Sequence, residues 1–374
     1  MHISFWEQNT FFNNIDFAII GSGFVGLSSA IEIKNKYPKA KVVVLERGFL
    51  PTGASTKNAG FACFGSPTEI LDDLTKMTEQ EVFLTVEKRW KGLLNLRALL
   101  GDDNLGFQQY GSCELFTAND EQVYQETQEQ LHKLNNFLTP IFKQAVFKNE
   151  ADKILKFGFQ NIKHCISNPF EGQIDTGKTM QSLLALAQQK GIQVISGVEV
   201  KELTTLNGKV NIQLKDYSIT ANKVIIATNG FAKQLLPHLD VEPARAQVLI
   251  TEPIEGLKLK GTFHYEQGYY YFRNVGNRVL LGGGRNLAFN TENTTDIALT
   301  ELVQNKLDEL LKTVILPHHK DVKVAMRWAG IMGVGEKKTT LVKEIEPNIY
   351  CAVRMGGMGV AIGSLIGKEV AELV

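Results

Sequence analysis

A glycine pattern near the start of the chain has the residue types and spacing that bind a dinucleotide. Gly21, Gly23 and Gly26 form the pattern GxGxxG between the apolar run FAII and a helical pattern. Gly21 permits a tight turn, Gly23 lets the backbone approach a pyrophosphate, and Gly26 lets helix and strand pack closely. The helix offers free N–H groups to the phosphates, and Glu46, which ends a second apolar run, is placed to accept hydrogen bonds from a ribose. This series predicts a bound dinucleotide, and a βαβ unit without a ligand is the alternative.

The segment after Glu46 favours a larger cofactor than a nicotinamide dinucleotide. Residues 47–67, RGFLPTGASTKNAGFACFGSP, are rich in small residues and show no clear helical or strand period. Long segments of this kind inside a compact domain are usually functional. A nicotinamide enzyme would be expected to continue with another helix, whereas an extended loop suits a larger, flatter cofactor lying across the fold.

Four further segments carry motifs that belong together. They are GASTKNAG in the loop, GQIDTGKTMQSLLALAQQKGIQVISGVEVKEL (172–203), KVIIATNGFAK (223–233) and MGGMGVAIGSLIGKEVAELV (355–374). In this order they resemble the D-amino-acid oxidase-like superfamily of FAD enzymes, with its glutathione-reductase-type fold, from about residue 3 to the end of the sequence. With the glycine turn, the resemblance assigns FAD binding to Gly21, Gly23, Phe24, Val25, Gly26, Glu46, Arg47, Ala54, Ser55, Thr56, Asn58, Ala59, Gly60, Val200, Ala227, Thr228, Gly230, Gly357, Met358, Gly359 and Val360.

Two features support this fold without the resemblance. Asn207-Gly208, between two alternating runs, is a strong hairpin signal and predicts a small antiparallel meander beside parallel strands. The last helix follows Gly356, Gly357 and Gly359, so a ligand can approach its N-terminal N–H groups. A helix N-terminus there would favour negative charge on a flavin by about 0.3–1 kcal/mol. A C-terminal helix whose glycines serve packing alone is the alternative.

The sequence as a whole predicts an α/β fold, α+β overall. A Rossmann-like FAD-binding domain with a central parallel sheet and a βββ meander is assigned to residues 1–75, 171–235 and 325–374. Residues 76–170 and 236–324 are assigned to an interleaved domain built on an antiparallel sheet. The resemblance implies that this second domain covers the flavin and binds the substrate.

Five shorter motifs bring the chain closer to one branch of the superfamily. They are RWAGIMG, YFR, GGGR, ITEP and SFWEQ, and they resemble the branch that contains gamma-glutamylputrescine oxidase. The resemblance implies oxidation of the C–N bond of an amine or amino acid to an imine by hydride transfer to flavin N5. Met332 stands where glycine and D-amino-acid oxidases typically have a substrate-binding arginine, which favours an amine or a larger substituted amino acid. Leu280 stands where sarcosine oxidases have a lysine, so oxidase and dehydrogenase both remain open.

The residues that attach flavin covalently in some relatives are missing from the corresponding segments. The segment IMGVGEKKTTL contains no cysteine and STKNAG contains no histidine, so FAD is predicted to bind noncovalently. The predicted partners are a small-molecule amine or amino acid and O2 or another electron acceptor.

Four residues are candidates for positioning the substrate: Tyr271, Arg273, Arg285 and Arg327. A fixed arginine fork would suit a carboxylate on the substrate. The alternative for each arginine is an internal ion pair or a contact to the FAD phosphates, and Arg354 is a further possibility. No catalytic acid or base is assigned, because the flavin itself performs the oxidation.

Composition narrows the class of protein further. The chain has 374 residues, and its 40 basic and 40 acidic side chains give a formal net charge of zero. This balance argues against nucleic acid or an anionic membrane as the main partner. Four cysteines without a CxxC pair predict reduced thiols in a cytoplasmic protein, and neither a signal peptide nor a transmembrane run is predicted. The pair His318-His319 is interpreted as part of a solvated loop, so no metal site is predicted.

Two other functions remain open at this point. One is a flavin-dependent oxidoreductase that modifies a tRNA base, as some members of the superfamily do, although the balanced charge argues against RNA binding. The other is an FAD-binding protein that performs no turnover.

Overall fold

Strands from both halves of the sequence combine into two large sheets. The computed structural model describes residues 3–319 and 321–374. Its strands are β1 (Ile15–Ile20), β2 (Val42–Glu46), β3 (Phe61–Ala62), β4 (Ser112–Thr117), β5 (Lys148–Asn149), β6 (Ile162–Asn168), β7 (Gly172–Gln173), β8 (Gln193–Ser196), β9 (Glu202–Leu206), β10 (Lys209–Gln213), β11 (Ser218–Ile226), β12 (Glu242–Thr251), β13 (Thr262–Tyr265), β14 (Tyr270–Val275), β15 (Arg278–Gly283), β16 (Val324–Val334), β17 (Leu341–Glu346) and β18 (Ile349–Val353).

The first sheet has the strand order β17-β18-β11-β1-β2-β8. The strands from β18 to β8 are parallel to their neighbours, and β17 pairs antiparallel with β18 at one edge. Alternate residues of the central strands pack into two separate cores: Ile19 and Val44 belong to one, and Ile20 and Val43 to the other. A strand that is buried on both faces needs an unbroken apolar run, which is what FAII and KVVVLE supply. The predicted parallel sheet is confirmed.

A meander extends the first sheet beside β11. β9 pairs antiparallel with β10, and β10 pairs antiparallel with β11. Asn207 and Gly208 join β9 to β10 with φ angles of 50° and 74°. Two successive left-handed residues are the geometry of the tight hairpin turn that Asn-Gly favours. The predicted βββ meander is therefore present where the hairpin signal placed it.

The second sheet has the order β16-β12-β15-β14-β13-β4-β6-β5. Its neighbours are antiparallel except β13 and β4, which are parallel. Strands β4 to β6 come from the predicted segment 76–170, and β12 to β15 come from 236–324. Two separate stretches of sequence thus build one mainly antiparallel sheet. A two-stranded sheet of β3 and β7 is formed apart from both.

One strand lies on the other side of a predicted domain boundary. β16 falls almost wholly within the range 325–374 that was assigned to the cofactor domain, but it pairs with β12 from Glu242 opposite Val334 to Thr251 opposite Val324. β16 therefore belongs to the second sheet, although the predicted range groups it with the cofactor domain. The apolar run of β16 predicts a strand but carries no signal for its partner, because pairing between distant strands depends on tertiary packing. The division into two domains otherwise stays a prediction.

Helices pack against strands of both large sheets. They are α1 (Phe5–Glu7), α2 (Phe24–Lys36), α3 (Ala54–Lys57), α4 (Pro67–Lys76), α5 (Glu79–Leu100), α6 (Asp102–Leu105), α7 (Glu121–Phe142), α8 (Asp152–Phe157), α9 (Thr176–Gln189), α10 (Phe289–Glu292), α11 (Glu301–Leu310) and α12 (Gly359–Leu373). Short 3₁₀ turns occupy Ala118–Asp120, Asn229–Gln234 and Arg285–Leu287, and π-helical turns occupy Gln8–Phe12 and Leu311–Ile315.

The last helix, α12, packs between α2 and α5. A Cβ on Gly92 of α5 would overlap the backbone of α12, and a Cβ on Gly367 of α12 would lie 2.6 Å from the Cβ of Ser28 in α2. Ser364 of α12 also donates a hydrogen bond of 2.8 Å to the Gly92 carbonyl. Small residues therefore let three helices approach closely, which fixes where the N-terminus of α12 lies. Among the described residues, we find no helix with the length and apolar character needed to cross a membrane.

Candidate cofactor and active site

A cavity of about 410 Å³ is lined by residues of both large sheets. From the first sheet come the carboxyl ends of β1 and β2, the turns that follow them, and the N-terminal turn of α12. From the second sheet come residues of β12, β13, β14 and β16. Ligands of open α/β folds bind at the carboxyl ends of parallel strands, and this cavity starts there. The second sheet forms the opposite wall.

The glycine turn has the conformation that its sequence predicts. Gly21 has a φ of +101°, which residues with a side chain rarely adopt. A Cβ on Gly26 would overlap the carbonyl oxygen of Gly21, so only glycine lets α2 start this close to β1. Gly23 precedes the first residue of α2, and the N-terminal residues Phe24 and Val25 line the cavity. The start of α2 is thus exposed to a bound ligand.

Glu46 lies buried at the end of β2 and holds the glycine turn in place. One carboxylate oxygen accepts hydrogen bonds from the backbone N–H of Ser22 at 3.0 Å and from the Ser22 hydroxyl at 2.7 Å. The other oxygen accepts from the N–H of Gly48 at 2.9 Å. A carboxylate has about four acceptor positions, so Glu46 retains capacity for a ligand hydroxyl on the side that lines the cavity.

The loop after β2 folds back over the glycine turn. Ser55 Oγ accepts a hydrogen bond of 2.9 Å from the N–H of Phe24, at the start of α2. Asn58 Oδ1 accepts from the N–H of Gly60 at 2.8 Å and from the Thr176 hydroxyl at 3.0 Å, which ties the loop to α9. The loop has its own hydrogen bonds and is held against both helices, although its sequence shows no periodicity.

The cavity collects most of the residues that were predicted to bind FAD. Four of them lie outside its lining: Gly26, Thr56, Gly60 and Gly230. The others line it: Gly21, Gly23, Phe24, Val25, Glu46, Arg47, Ala54, Ser55, Asn58, Ala59, Val200, Ala227, Thr228, Gly357, Met358, Gly359 and Val360.

These residues fit a dinucleotide of the FAD type. The N-terminal turns of α2 and α12 both line the cavity, and N-terminal N–H groups favour phosphate or another anion. The hydroxyl of Thr228 lines the cavity and, although buried, finds no hydrogen-bond partner in the described part of the chain. A buried polar atom without a partner is costly, so a ligand that bonds to Thr228 would remove that cost.

Two of the four substrate candidates reach the cavity. Tyr271 lines it from β14, where its ring packs edge-on against Phe61 at a centroid distance of 5.6 Å, and burial raises its pKa to about 12. Arg285 lines it from the turn after β15, donates 2.5 Å to Asn293 Oδ1 and lies over the ring of Phe289. Burial lowers the pKa of Arg285, and its Nε is buried without a partner among the described residues.

The other two arginines lie outside the cavity lining. Arg273 is buried and donates hydrogen bonds to the carbonyl oxygens of Ala59 and Ile174, at 2.5 and 3.0 Å. Burial lowers its pKa to about 10. Arg327 forms an ion pair with Asp308 of α11 at 2.7 Å. Both arginines therefore have partners inside the protein, and they do not line the cavity as Tyr271 and Arg285 do.

Three other residues singled out in the sequence have defined places. Arg354 has a φ of 68° and is bonded to Asp240 and Thr339, outside the cavity lining. Met332 lines the cavity from β16. Leu280 is buried in a small apolar cluster with Ala59 and Val248 and does not belong to the lining. Of the three, Met332 alone faces the cavity.

A buried histidine on the cavity wall was not identified from the sequence. His264 of β13 lies between two carboxylates, with Nδ1 3.9 Å from Glu69 and Nε2 3.8 Å from Glu171. Glu69 and His264 both line the cavity. Glu114 of β4 is buried beside them and bonded to Ser66 and Thr68. These acids stand far from His264 in the sequence, so no motif joins them.

The buried positions of this cluster shift its pKa values strongly. Burial lowers the pKa of His264, but the surrounding carboxylates, Glu171 foremost, outweigh burial and raise the pKa to about 9. Burial raises the pKa of Glu114 to about 7, although hydrogen bonds from Thr68 oppose this shift. The described residues contain no group of three or more potential ligands arranged to hold a metal ion.

Comparison with known proteins places the chain among flavoenzymes. The family model described as "DAO: FAD dependent oxidoreductase" matches residues 16–373. Among curated proteins, the chain is 22% identical to the probable oxidoreductase OrdL of Haemophilus influenzae, covering 96% of this chain and 82% of that protein. It is 24% identical to gamma-glutamylputrescine oxidoreductase of Escherichia coli, covering 96% and 83%.

Solved structures share the fold at low sequence identity. The structure of glycine oxidase from Geobacillus kaustophilus matches with a TM-score of 0.76 and 20% identity, covering 96% of this chain and 94% of that one. The structure of L-proline dehydrogenase from P. horikoshii matches with a TM-score of 0.75 and 18% identity, covering 96% and 93%. With the family model spanning nearly the whole sequence, the chain belongs to the DAO family of FAD-dependent oxidoreductases.

Proposed function

We propose that the protein binds FAD noncovalently in the cavity and oxidises the C–N bond of an amine or amino acid to an imine. One observation carries the proposal: a single cavity joins the glycine turn to Tyr271 of β14 and to Arg285 in the turn after β15. A cofactor held by the turn and a small molecule held by the second sheet would then share one enclosed space. The gamma-glutamylputrescine oxidoreductase of Escherichia coli and the sarcosine oxidase subunit beta of Rhizobium meliloti, both similar to this chain, support the substrate class.

FAD, when bound, supplies flavin N5 as the acceptor of a hydride from the carbon that bears the amine. The chain supplies the rest. The N-terminal turns of α2 and α12 would hold the phosphates and an anionic part of the ring, and Glu46 would hold a ribose. Apolar side chains of the second sheet that line the cavity, among them Val248 and Met332, would limit the access of water to a bound ligand and so strengthen polar contacts there.

Arg285 is the better placed of the four candidates to bind a substrate carboxylate. Its guanidinium lines the cavity and its Nε has no partner within the described part of the chain, whereas Arg273 and Arg327 are engaged inside the protein. Tyr271 would orient the substrate through its ring and its neutral hydroxyl. Met332 of β16, which also lines the cavity, offers no charge for a second carboxylate contact, and this favours an amine or a substituted amino acid.

The environment of Cys63 supports a noncovalent cofactor. Its thiol lines the cavity 3.8 Å from the sulfur of Met358. Burial, together with the charges of Glu171 and Glu69, raises its pKa well above the usual value. The thiolate is the reactive form, so a thiol held protonated is a poor nucleophile for attachment to the flavin ring.

The test is anaerobic reduction of the FAD-loaded protein by a panel of amines: N-(γ-glutamyl)putrescine, sarcosine, glycine and L-proline. Loss of the yellow flavin absorbance with at least one amine supports the proposal, and no loss with any of them favours an FAD-binding protein without turnover. Admitting air afterwards separates an oxidase, which reoxidises quickly with O2, from a dehydrogenase. Acid precipitation must release the flavin into the supernatant if the cofactor is noncovalent.

A further inference from the structure

The cluster around His264 is a buried set of titratable groups that the proposed function leaves unused. Its members come from separate elements: Glu69 from α4, Glu114 from β4, Glu171 from the segment before β7, and His264 from β13. The side chain of Glu171 is fully buried, and that of Glu69 is 24% exposed. The cluster thus has Glu69 and His264 at the cavity wall, and Glu114 and Glu171 lie behind them.

Hydrogen bonds through Ser66 link Glu69 to Glu114, and His264 lies 3.9 Å from Glu69 and 3.8 Å from Glu171, so that the four groups form one unit. The N–H of Ser66 donates to Glu69 at 2.9 Å, while the Ser66 hydroxyl donates to Glu114 at 3.0 Å. One oxygen of Glu171 accepts from the N–H groups of Phe64 and Gly65. Its other oxygen faces His264 Nε2, and both atoms lack a hydrogen-bond partner among the described residues. These hydrogen bonds hold the carboxylates in place, while the second oxygen of Glu171 and His264 Nε2 can still accept or share a further proton.

The charges of the unit leave one carboxylate uncompensated. Glu69, Glu114 and Glu171 are accompanied by two cationic side chains, His264 and Arg89, the second of which donates 2.9 Å to the carbonyl oxygen of Phe64. The thiol of Cys63 faces the same carboxylates. Buried groups that interact this closely exchange protons as a unit rather than singly. The pKa of Glu114 is raised to about 7 and that of His264 to about 9, so two members of the unit change protonation between neutral and mildly alkaline pH.

We propose that Glu69, supported by His264, Glu171 and Glu114, takes the proton from the ammonium group of the substrate and so prepares the amine for oxidation. The proposal rests on the proposed function, because it needs an amine in this cavity. In the step an N–H bond of the ammonium breaks, its electron pair stays on nitrogen, and an O–H bond forms on Glu69. An ammonium and a carboxylate become two neutral groups, which a cavity that excludes water favours. Glu69 is the catalytic group, and His264 acts through it as a positioning residue.

The test uses Glu69→Gln with Glu81→Gln as the matched control. Glu69 and Glu81 occupy the same place in two capping boxes, where each accepts a hydrogen bond from the backbone N–H of Ser66 or Thr78. Gln can accept that bond too, so both variants keep their helix starts. Glu81 is exposed on α5 and lies outside the cavity lining. A difference between the two variants therefore reports the cavity and not the helix cap.

The measurement is the anaerobic rate of flavin reduction from pH 6 to 10, with the fastest amine of the panel above as probe. At pH 7 we expect Glu69→Gln to be slower than wild type by about a hundredfold, the usual contribution of a general base. At about pH 10, where a substantial fraction of the free amine is already neutral in solvent, we expect its rate to recover to within a few-fold of wild type. Glu81→Gln should follow wild type throughout. Recovery at high pH separates loss of a base from structural damage, which high pH would not repair.

The positioning role of His264 has its own readout. The imidazole resonances of His264, followed by NMR against pH, should titrate at lower pH in Glu69→Gln and Glu171→Gln than in wild type, because each variant removes a carboxylate beside the ring. An unchanged titration in both variants would overturn the coupling of His264 to the acids.

The outcomes of the kinetic test are distinct. A Glu69→Gln profile that matches wild type, or one that is faster than wild type at pH 7, would overturn the role of Glu69 as a base while leaving amine oxidation intact. The faster profile would show that Glu69 holds the substrate as an ammonium ion instead of deprotonating it. If no amine reduces the flavin of the wild-type protein at any pH, the proposed function is overturned, and the role of Glu69 as a base is overturned with it.

Discussion

Ser55 Oγ lies 2.9 Å from the backbone nitrogen of Phe24 and accepts its hydrogen bond. The loop after β2 thereby places a hydroxyl oxygen at the start of α2, which is the place where a helix binds an anion. A Cβ on Gly23 would lie 2.8 Å from the same oxygen, so the two segments touch at this point. The hydroxyl satisfies the helix N–H in the absence of a phosphate and can rotate to donate to one when it binds.

Replacing Ser55 by alanine should therefore weaken FAD binding. A hydrogen bond to a charged group contributes about 1.5–3 kcal/mol, so Kd should rise by at least roughly tenfold. Quenching of flavin fluorescence during titration of the FAD-free protein measures this. Ser182→Ala, which removes an exposed hydroxyl bonded to the Asn104 carbonyl, is the control and should leave Kd unchanged. Equal Kd values for wild type and Ser55→Ala would show that the hydroxyl takes no part in cofactor binding.

Replacing Gly26 by alanine should destabilise the cofactor fold. The added Cβ would overlap the carbonyl oxygen of Gly21, which is backbone and cannot turn aside. Overpacking of this kind costs about 1–3 kcal/mol, which urea unfolding measures directly. Gly53→Ala is the matched control, since a Cβ there meets no atom of residues 3–319 and 321–374 within 4 Å. If the two variants unfold at the same urea concentration, the close approach of α2 to β1 is not a constraint.

The cofactor half of the site could be predicted from the sequence because its signals are local. Gly21, Gly26 and Glu46 stand within one βαβ unit; the two glycines have the backbone geometry that the spacing implies, whereas the contact of Glu46 with a ribose stays a prediction. The hairpin at Asn207-Gly208 is equally local, since the two residues impose their own turn geometry. Backbone requirements of this kind can be recognised in the sequence from the types of a few residues and the short spacing between them.

The substrate half could not be predicted in the same way because its residues meet only through tertiary packing. The sequence carries no signal that distinguishes Arg273 from Arg285. In the structure, Arg273 is buried against backbone carbonyls, whereas Arg285 lines the cavity. Which face of a strand or turn a side chain takes depends on register, and register is set by distant pairing. His264 was missed for the same reason, because its acids stand on three other elements.

Replacing Arg285 by lysine should affect substrates that carry a carboxylate and spare those that do not. Lysine keeps the charge but loses the planar fork that binds two carboxylate oxygens together. We expect KM for sarcosine or another carboxylate-bearing member of the panel to rise by about tenfold or more, with kcat nearly unchanged. Arg97→Lys, which alters an exposed ion pair with Asp102, is the control. A loss of the same size for a simple alkylamine without a carboxylate would contradict the assigned role.

The raised pKa of Glu114 predicts how the stability of the fold changes with pH. The direction of this change is opposite to that for most carboxylates, whose pKa is lowered in the folded protein. The pKa of Glu114 in the folded protein is raised to about 7 from the ordinary value of 4.5, chiefly by burial. Between these two values the folded chain holds a proton on Glu114 that the unfolded chain has lost, so this group makes stability fall as pH rises. Above about pH 7 the full cost is present, and below about pH 4.5 it is absent.

Glu114→Gln removes this titration and should change the slope rather than only the level of stability. Urea unfolding from pH 5 to 8 should show the free energy of unfolding of the variant gaining on that of wild type as pH rises, then levelling off above about pH 7. Altered hydrogen bonds to Ser66 and Thr68 add an offset that does not depend on pH, so the difference in slope is the diagnostic quantity. Parallel curves for wild type and variant would mean that Glu114 stays ionised in the folded protein across this range, and the cluster around His264 would then carry its excess negative charge unprotonated.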